Sequence, residues 1–192
     1  MEVFTLVTGI IYLLLELRQS NWMWVVGIMT GAAASYVFWQ QSLYASMGLN
    51  IYYVAMSFWG LYAWARDRRI LRGQKPEAAD ADIHLNRLSR QTCVLSAIML
   101  AAGTAALVAL LRWLDDPMSV LDAGVAVLSA IATWWLGRSF KEQWILWVVA
   151  DSFSTALCAA QDMWWMVALY VFYVVSAIYG YICWNKKGVY IS

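Results

Sequence analysis

The chain has 192 residues, of which 63% are hydrophobic and only 13% charged, and its formal net charge is +1. Mean hydropathy is +0.60, whereas soluble domains carry about a quarter charged residues. The composition excludes an ordinary soluble domain and marks a polytopic membrane protein, so the placement of charge carries the argument.

Seven apolar segments are predicted in chain order, at 3–18, 22–40, 45–64, 92–113, 118–136, 143–160 and 164–184. A helix needs about 20 residues to cross the hydrocarbon core, and the first segment is short. Its Met1-Glu2 start lacks a basic region, so it reads as a span and not as a signal peptide. The two prolines, Pro76 and Pro117, are expected in loops. Seven spans put the termini on opposite sides. Twelve of the thirteen basic residues then share one side: Arg18, Arg66, Arg68, Arg69, Arg72, Lys75, Arg87, Arg90, Arg138, Lys141, Lys186 and Lys187. Arg112 alone faces the other. The excess of positive charge predicts an outside N-terminus and a cytoplasmic C-terminus. Residues 65–91, with "ARDRR" and "PEAADAD", read as a polar cytoplasmic loop. The basic run is an orientation signal, and no nucleic-acid partner is expected. His84 falls in that loop and can anchor neither a metal site nor a triad alone. Cys93, Cys158 and Cys183 lie in apolar runs without metal-type spacing.

The chain repeats itself. Tyr53, Gly60 and Trp64 match Tyr173, Gly180 and Trp184 at an offset of 120, and the same offset pairs Gln41 with Gln161, Trp24 with Trp144 and Arg18 with Arg138. The expected fold is an all-α membrane protein with seven transmembrane helices arranged 3+1+3. The segments are a first three-helix repeat (1–64), the cytoplasmic loop (65–91), a linking helix (92–113), a second repeat (118–184) and a cytoplasmic tail (185–192). Four crossings separate equivalent helices, so the repeats run parallel, a SWEET-like architecture used by transporters.

In the sixth span, Trp144, Trp147, Asp151 and Thr155 form one helical stripe. Asp151 lies eight residues in from the start of that span. At 1.5 Å per residue that is about 12 Å deep, where an ionisable residue is a functional candidate. It serves either as a group hydrogen-bonded within the bundle or as a ligand's counter-ion. Two indoles beside a carboxylate suit a flat organic cation. The equivalent positions in the second span are Gly27 for Trp147 and Gly31 for Asp151, a spacing that permits close helix contact. Asn50, Tyr53, Tyr170 and Tyr173 fall near the same depth, as further ligand groups or as interhelical packing. Gln41 and Gln161 lie at the outer ends of spans two and six, as caps or at the entrance. Every lysine and arginine lies in a loop or at a helix end, so no fixed cation awaits a phosphate at the midplane. There is no P-loop sequence, and no enzymatic function or cofactor is expected.

The stretches "QSLYASMGLNIYYVAMSFWGLYAWAR", "EQWILWVVAD" and "YGYICWNKK" closely resemble the PnuC family of bacterial vitamin transporters. The resemblance spans essentially the whole chain, and the WxxW of Trp144 and Trp147 after Glu142 is its most specific element. It implies facilitated diffusion of a dephosphorylated vitamin across the inner membrane, trapping by a cytoplasmic vitamin kinase, and a homotrimer. It also implies that Trp144 and Trp147 contact substrate. With Asp151 favouring a cation, nicotinamide riboside ranks first, thiamine second and riboflavin third. The alternative is a membrane-embedded vitamin-binding subunit of an energised transporter.

Overall fold

The structure, a computed structural model, describes residues 2–41, 44–74, 83–113 and 120–191. Lys75, Pro76, Pro117 and the acidic stretch of the loop lie outside the described residues. Seven helices are described: α1 (Glu2–Leu17), α2 (Trp22–Gln40), α3 (Tyr44–Gln74), α4 (Arg90–Trp113), α5 (Val120–Gly137), α6 (Gln143–Ala160) and α7 (Trp164–Lys187). Two short strands, β1 (His84–Leu85) and β2 (Val189–Tyr190), pair in parallel. Five helices, α2 and α4 to α7, are long and apolar enough to cross a membrane. α1 has only 16 residues, and the apolar half of α3 is diluted by Tyr, Trp, Ser and Gly.

The chain forms two compact units. The first holds Met1–Asn86, Leu136–Lys141 and Ile182–Ser192; the second holds Arg87–Trp135 and Glu142–Tyr181.

In the first unit, α2 and α3 pack tightly at bare backbone. A Cβ on Gly27 would stand 2.8 Å from Ser57 Oγ, and one on Gly31 would stand 2.8 Å from Val54 Cγ2. Both separations are below van der Waals contact, so only glycine fits without movement. Trp24 lies against Gly60, where an added Cβ would meet its ring at 2.5 Å. Trp24 also meets Trp64 edge-on, with centroids 5.0 Å apart.

The second unit repeats that device. Trp144 lies against Gly180, where an added Cβ would meet its ring at 2.6 Å. Offset 120 therefore appears in the packing as well as in the sequence. It appears again at the helix ends. α1 leaves its last turn through Gln19 at φ 50°, and α5 leaves through Ser139 at φ 58°. A left-handed residue lets the chain turn sharply while its N–H still caps the helix; here Gln19 N–H bonds Glu16 O and Ser139 N–H bonds Leu136 O, both at 2.9 Å. Neither residue is glycine, so each corner carries strain that its surroundings must hold.

Parts of the segment expected as a loop, 65–91, are structured among the described residues. α3 continues ten residues beyond Trp64, to Gln74. Arginine is a good helix former, so charge ends the apolar span without ending the helix, and buried Leu71 anchors the extension. His84, expected in solvent-facing loop, is 0% exposed. Desolvation, helped by the charge of Arg68 and opposed by Asp67, lowers its pKa to about 4. It is a neutral imidazole at the heart of a polar cluster.

Candidate functional site

α6 and α7 of the second unit carry five of the expected site residues. The sequence alternates on α6 so that Trp144, Trp147 and Asp151 fall on one face. Trp144 is fully buried, since Gly180 offers its ring a flat seat. Trp147 is half-buried, and its indole Nε1 is shielded from solvent with no hydrogen-bond partner among the described residues. An indole N–H can only donate, and an unmet buried donor costs about 1–3 kcal/mol.

Asp151 is 9% exposed. Its backbone carbonyl accepts the Thr155 hydroxyl at 2.7 Å, but no described residue donates a hydrogen bond or a formal positive charge to its carboxylate. The carboxylate acts electrostatically on the hydroxyls of Tyr170 and Tyr173. Those two rings meet edge-on at 6.2 Å, and the Tyr170 hydroxyl shares a hydrogen bond with Ser154. The second unit thus gathers one carboxylate, two phenols and an indole donor around one stretch of α6 and α7.

The repeat explains how this patch arose. On α2, Gly31 is seated against Val54 and the Asn50 carbonyl, and Gly27 against Ser57. The equivalents on α7 are Val174, Tyr170 and Ala177. Ser57 becomes the smaller Ala177 where Gly27 becomes the larger Trp147. The exchange of volume keeps the helices packable while introducing a carboxylate beside Tyr170.

The remaining expected residues lie in the first unit. Asn50 and Tyr53 are half-buried on α3, where Tyr53 meets Tyr52 at 5.7 Å. Gln41 and Gln161 both occupy the C-cap of their helices, with backbone N–H groups turned back onto α2 and α6. Gln41 is exposed. Sequence reasoning passed over Tyr12 and Glu16 on α1. Glu16 is buried, and it acts electrostatically on Tyr12, as does Tyr53. Their i, i+4 spacing on a short apolar helix was the available signal.

Comparison with known proteins gives one consistent result. A family model described as nicotinamide mononucleotide transporter matches residues 1–186. The nicotinamide riboside transporter PnuC of Neisseria mucosa is 25% identical over 189 residues, covering 94% of this chain and 70% of that protein. The PnuC of Escherichia coli K12 is 24% identical over 175 residues, covering 79% and 71%. The riboflavin/roseoflavin transporter RibM of Streptomyces davaonensis is 26% identical over 184 residues, covering 93% and 81%. A crystal structure of the vitamin B3 transporter PnuC superposes with a TM-score of 0.67 at 23% identity, covering 94% of this chain and 78% of that one.

Proposed function

The chain belongs to the nicotinamide mononucleotide transporter family, and on that premise we propose that it takes up nicotinamide riboside across the bacterial inner membrane by facilitated diffusion. The observation that carries the choice of cargo is Asp151, a buried carboxylate without a hydrogen-bond donor among the described residues, beside an indole and two phenols. A buried charge needs a partner, and a pyridinium supplies one. Trp147 then stacks on the flat cation, and Tyr170 and Tyr173 hold ribose or amide groups. Trp144 supports Trp147 from the same helix face.

The family's description names a mononucleotide, but its phosphate would need a cation. No lysine or arginine falls in the interior of an apolar span, since Arg66, Arg68, Arg69 and Arg72 lie on the extension of α3 beyond Trp64, which supports the dephosphorylated vitamin as cargo. Riboflavin, cargo of the RibM relative, is uncharged and would leave Asp151 uncompensated. In this reading the chain has seven spans in a 3+1+3 arrangement of parallel repeats, and the excess of basic residues at one end supports a cytoplasmic C-terminus and an outside N-terminus. One pathway per protomer of a homotrimer, feeding a cytoplasmic kinase, completes the reading.

The test is a binding and flux panel on purified protein in liposomes: nicotinamide riboside, thiamine, riboflavin and the mononucleotide. Equilibrating uptake of nicotinamide riboside without ATP or partner is expected. Tight binding without flux would make the chain a binding subunit instead, and preference for riboflavin would overturn the cation reading.

A further inference from the structure

Residues 83–86 cross the basic end of the first unit as a short extended segment, and four separate parts of the chain grip it. Gln19 brackets His84: its Nε2 donates to the His84 carbonyl at 2.9 Å, and its Oε1 accepts the His84 N–H at 2.7 Å. Ser139 holds the other side, with Oγ 3.0 Å from His84 Nε2 and its carbonyl accepting the Asn86 N–H at 3.1 Å. The Asn86 side chain donates to Arg138 O at 2.9 Å and to the Asp67 carboxylate at 2.8 Å. The tail closes the set: Val189 N–H donates to Ile83 O and Ile191 N–H to Leu85 O, both at 2.9 Å. Gly188 lies so close to the Leu85 side chain that a Cβ would collide with it.

Gln19 and Ser139 are the two left-handed corners at offset 120. One peptide therefore ties the α1–α2 corner of the first repeat to the α5–α6 corner of the second. Two reciprocal bonds reinforce the tie. Trp64 Nε1 on α3 donates to Leu136 O at the end of α5, at 3.1 Å, and Trp184 Nε1 on α7 donates to Leu17 O at the end of α1, at 3.2 Å.

We propose that residues 83–86 and 189–191 form a releasable latch that joins the two repeats at the basic face and opens for each release of cargo on that side. The inference rests on the transport reading and on its orientation. In a parallel-repeat transporter, access at one face requires the repeat ends there to part, and these bonds span both repeats at one face. The latch is also built to let go. Its sheet is two residues long, far short of what is stable alone, so its hold depends on the side-chain and backbone hydrogen bonds from Gln19, Asp67, Arg138, Ser139 and the tail.

The register sets Leu85 opposite Tyr190. Cysteines at both positions, with Cys93, Cys158 and Cys183 replaced, allow the strands to be joined by oxidation or a short bismaleimide. Joining is expected to lower nicotinamide riboside flux in liposomes by about tenfold or more, as for a blocked gating step, with reduction restoring the oxidised sample and affinity unchanged. Undiminished flux in the joined protein overturns the latch. If the reduced protein shows no flux, the transport reading itself fails. Hydrogen exchange on the unmodified chain then decides the latch alone. Amides of His84, Asn86, Val189 and Ile191 should exchange together and faster than the core of α6; exchange only with that core overturns it.

Discussion

Asp151→Asn separates a ligand counter-ion from a structural residue, because the two roles have opposite consequences for stability. The substitution preserves shape and removes charge. Asp151 is 9% exposed, and no described residue donates a hydrogen bond to its carboxylate. Removing a buried charge that no described residue compensates relieves desolvation, so the apo-protein is expected to keep or gain stability. The bound cation loses its opposite charge. At 4 Å and an effective dielectric near 20, the gross Coulomb attraction is about 4 kcal/mol. After desolvation, about 2–3 kcal/mol remains, and at 1.4 kcal/mol per decade that weakens Kd roughly 30- to 150-fold. Calorimetry with nicotinamide riboside measures the loss, and thermal unfolding of the apo-protein measures stability. Riboflavin, which is neutral, should bind the variant no worse than the parent. Unchanged affinity for the cation together with a fall in melting temperature would show that Asp151 serves the fold.

Trp147→Phe keeps a ring but removes the unpartnered Nε1 donor, and it should weaken binding by about 1–2 kcal/mol, roughly 5- to 30-fold, by calorimetry. Gly60→Ala and Gly180→Ala force a Cβ against Trp24 or Trp144 and should each cost about 1–3 kcal/mol of stability by overpacking. Only Gly180→Ala should also weaken cargo binding, since Trp144 shares its helix face with Trp147 and Asp151. The ordinary histidine pKa is 6.5, and His84 in the fold lies at about 4, held down by burial and Arg68 against the pull of Asp67. The unfolded chain therefore binds the proton first, and stability is fully present above pH 6.5 and lost as pH falls towards 4. By pH 5 the loss is about 2 kcal/mol. Thermal unfolding from pH 7 to 5 measures it, and His84→Gln should flatten the dependence.

Hydropathy placed the helices well because a span must bury a continuous apolar surface. The expected limits of the second and sixth spans, 22–40 and 143–160, coincide with α2 and α6. The repeat matches proved to be packing pairs: Trp24 with Gly60 and Trp144 with Gly180. A glycine facing an aromatic on another helix leaves no periodic trace, but two such pairs at one offset do. Helix spacing placed Trp147 and Asp151 on one face of α6, but that Tyr170 and Tyr173 of α7 lie near enough to feel the Asp151 carboxylate comes from helix packing, which spacing does not encode. The cluster around His84 was not placed by spacing either. Its order comes from hydrogen bonds between residues far apart in the chain, 55 apart for His84 with Ser139 and 106 apart for Val189 with Ile83. A polar stretch satisfied in that way has the composition of a loop. The extension of α3 was hidden for a related reason, since hydropathy stops at charge and helix propensity does not.

The reciprocal bonds from Trp64 to Leu136 O and from Trp184 to Leu17 O have a bearing on ancestry. When residue i of one copy meets j of another, and j of the first meets i of the second, the contact has the form of an isologous two-fold interface. The acceptors differ by one residue in register, Leu17 aligning with Gly137 and not with Leu136. A three-helix forebear that paired with itself would have made this bond twice from a single tryptophan codon. The two bonds thus have the arrangement of a subunit boundary inside one chain, and fragments made by cutting between residues 74 and 90 should still associate, as co-purification would show.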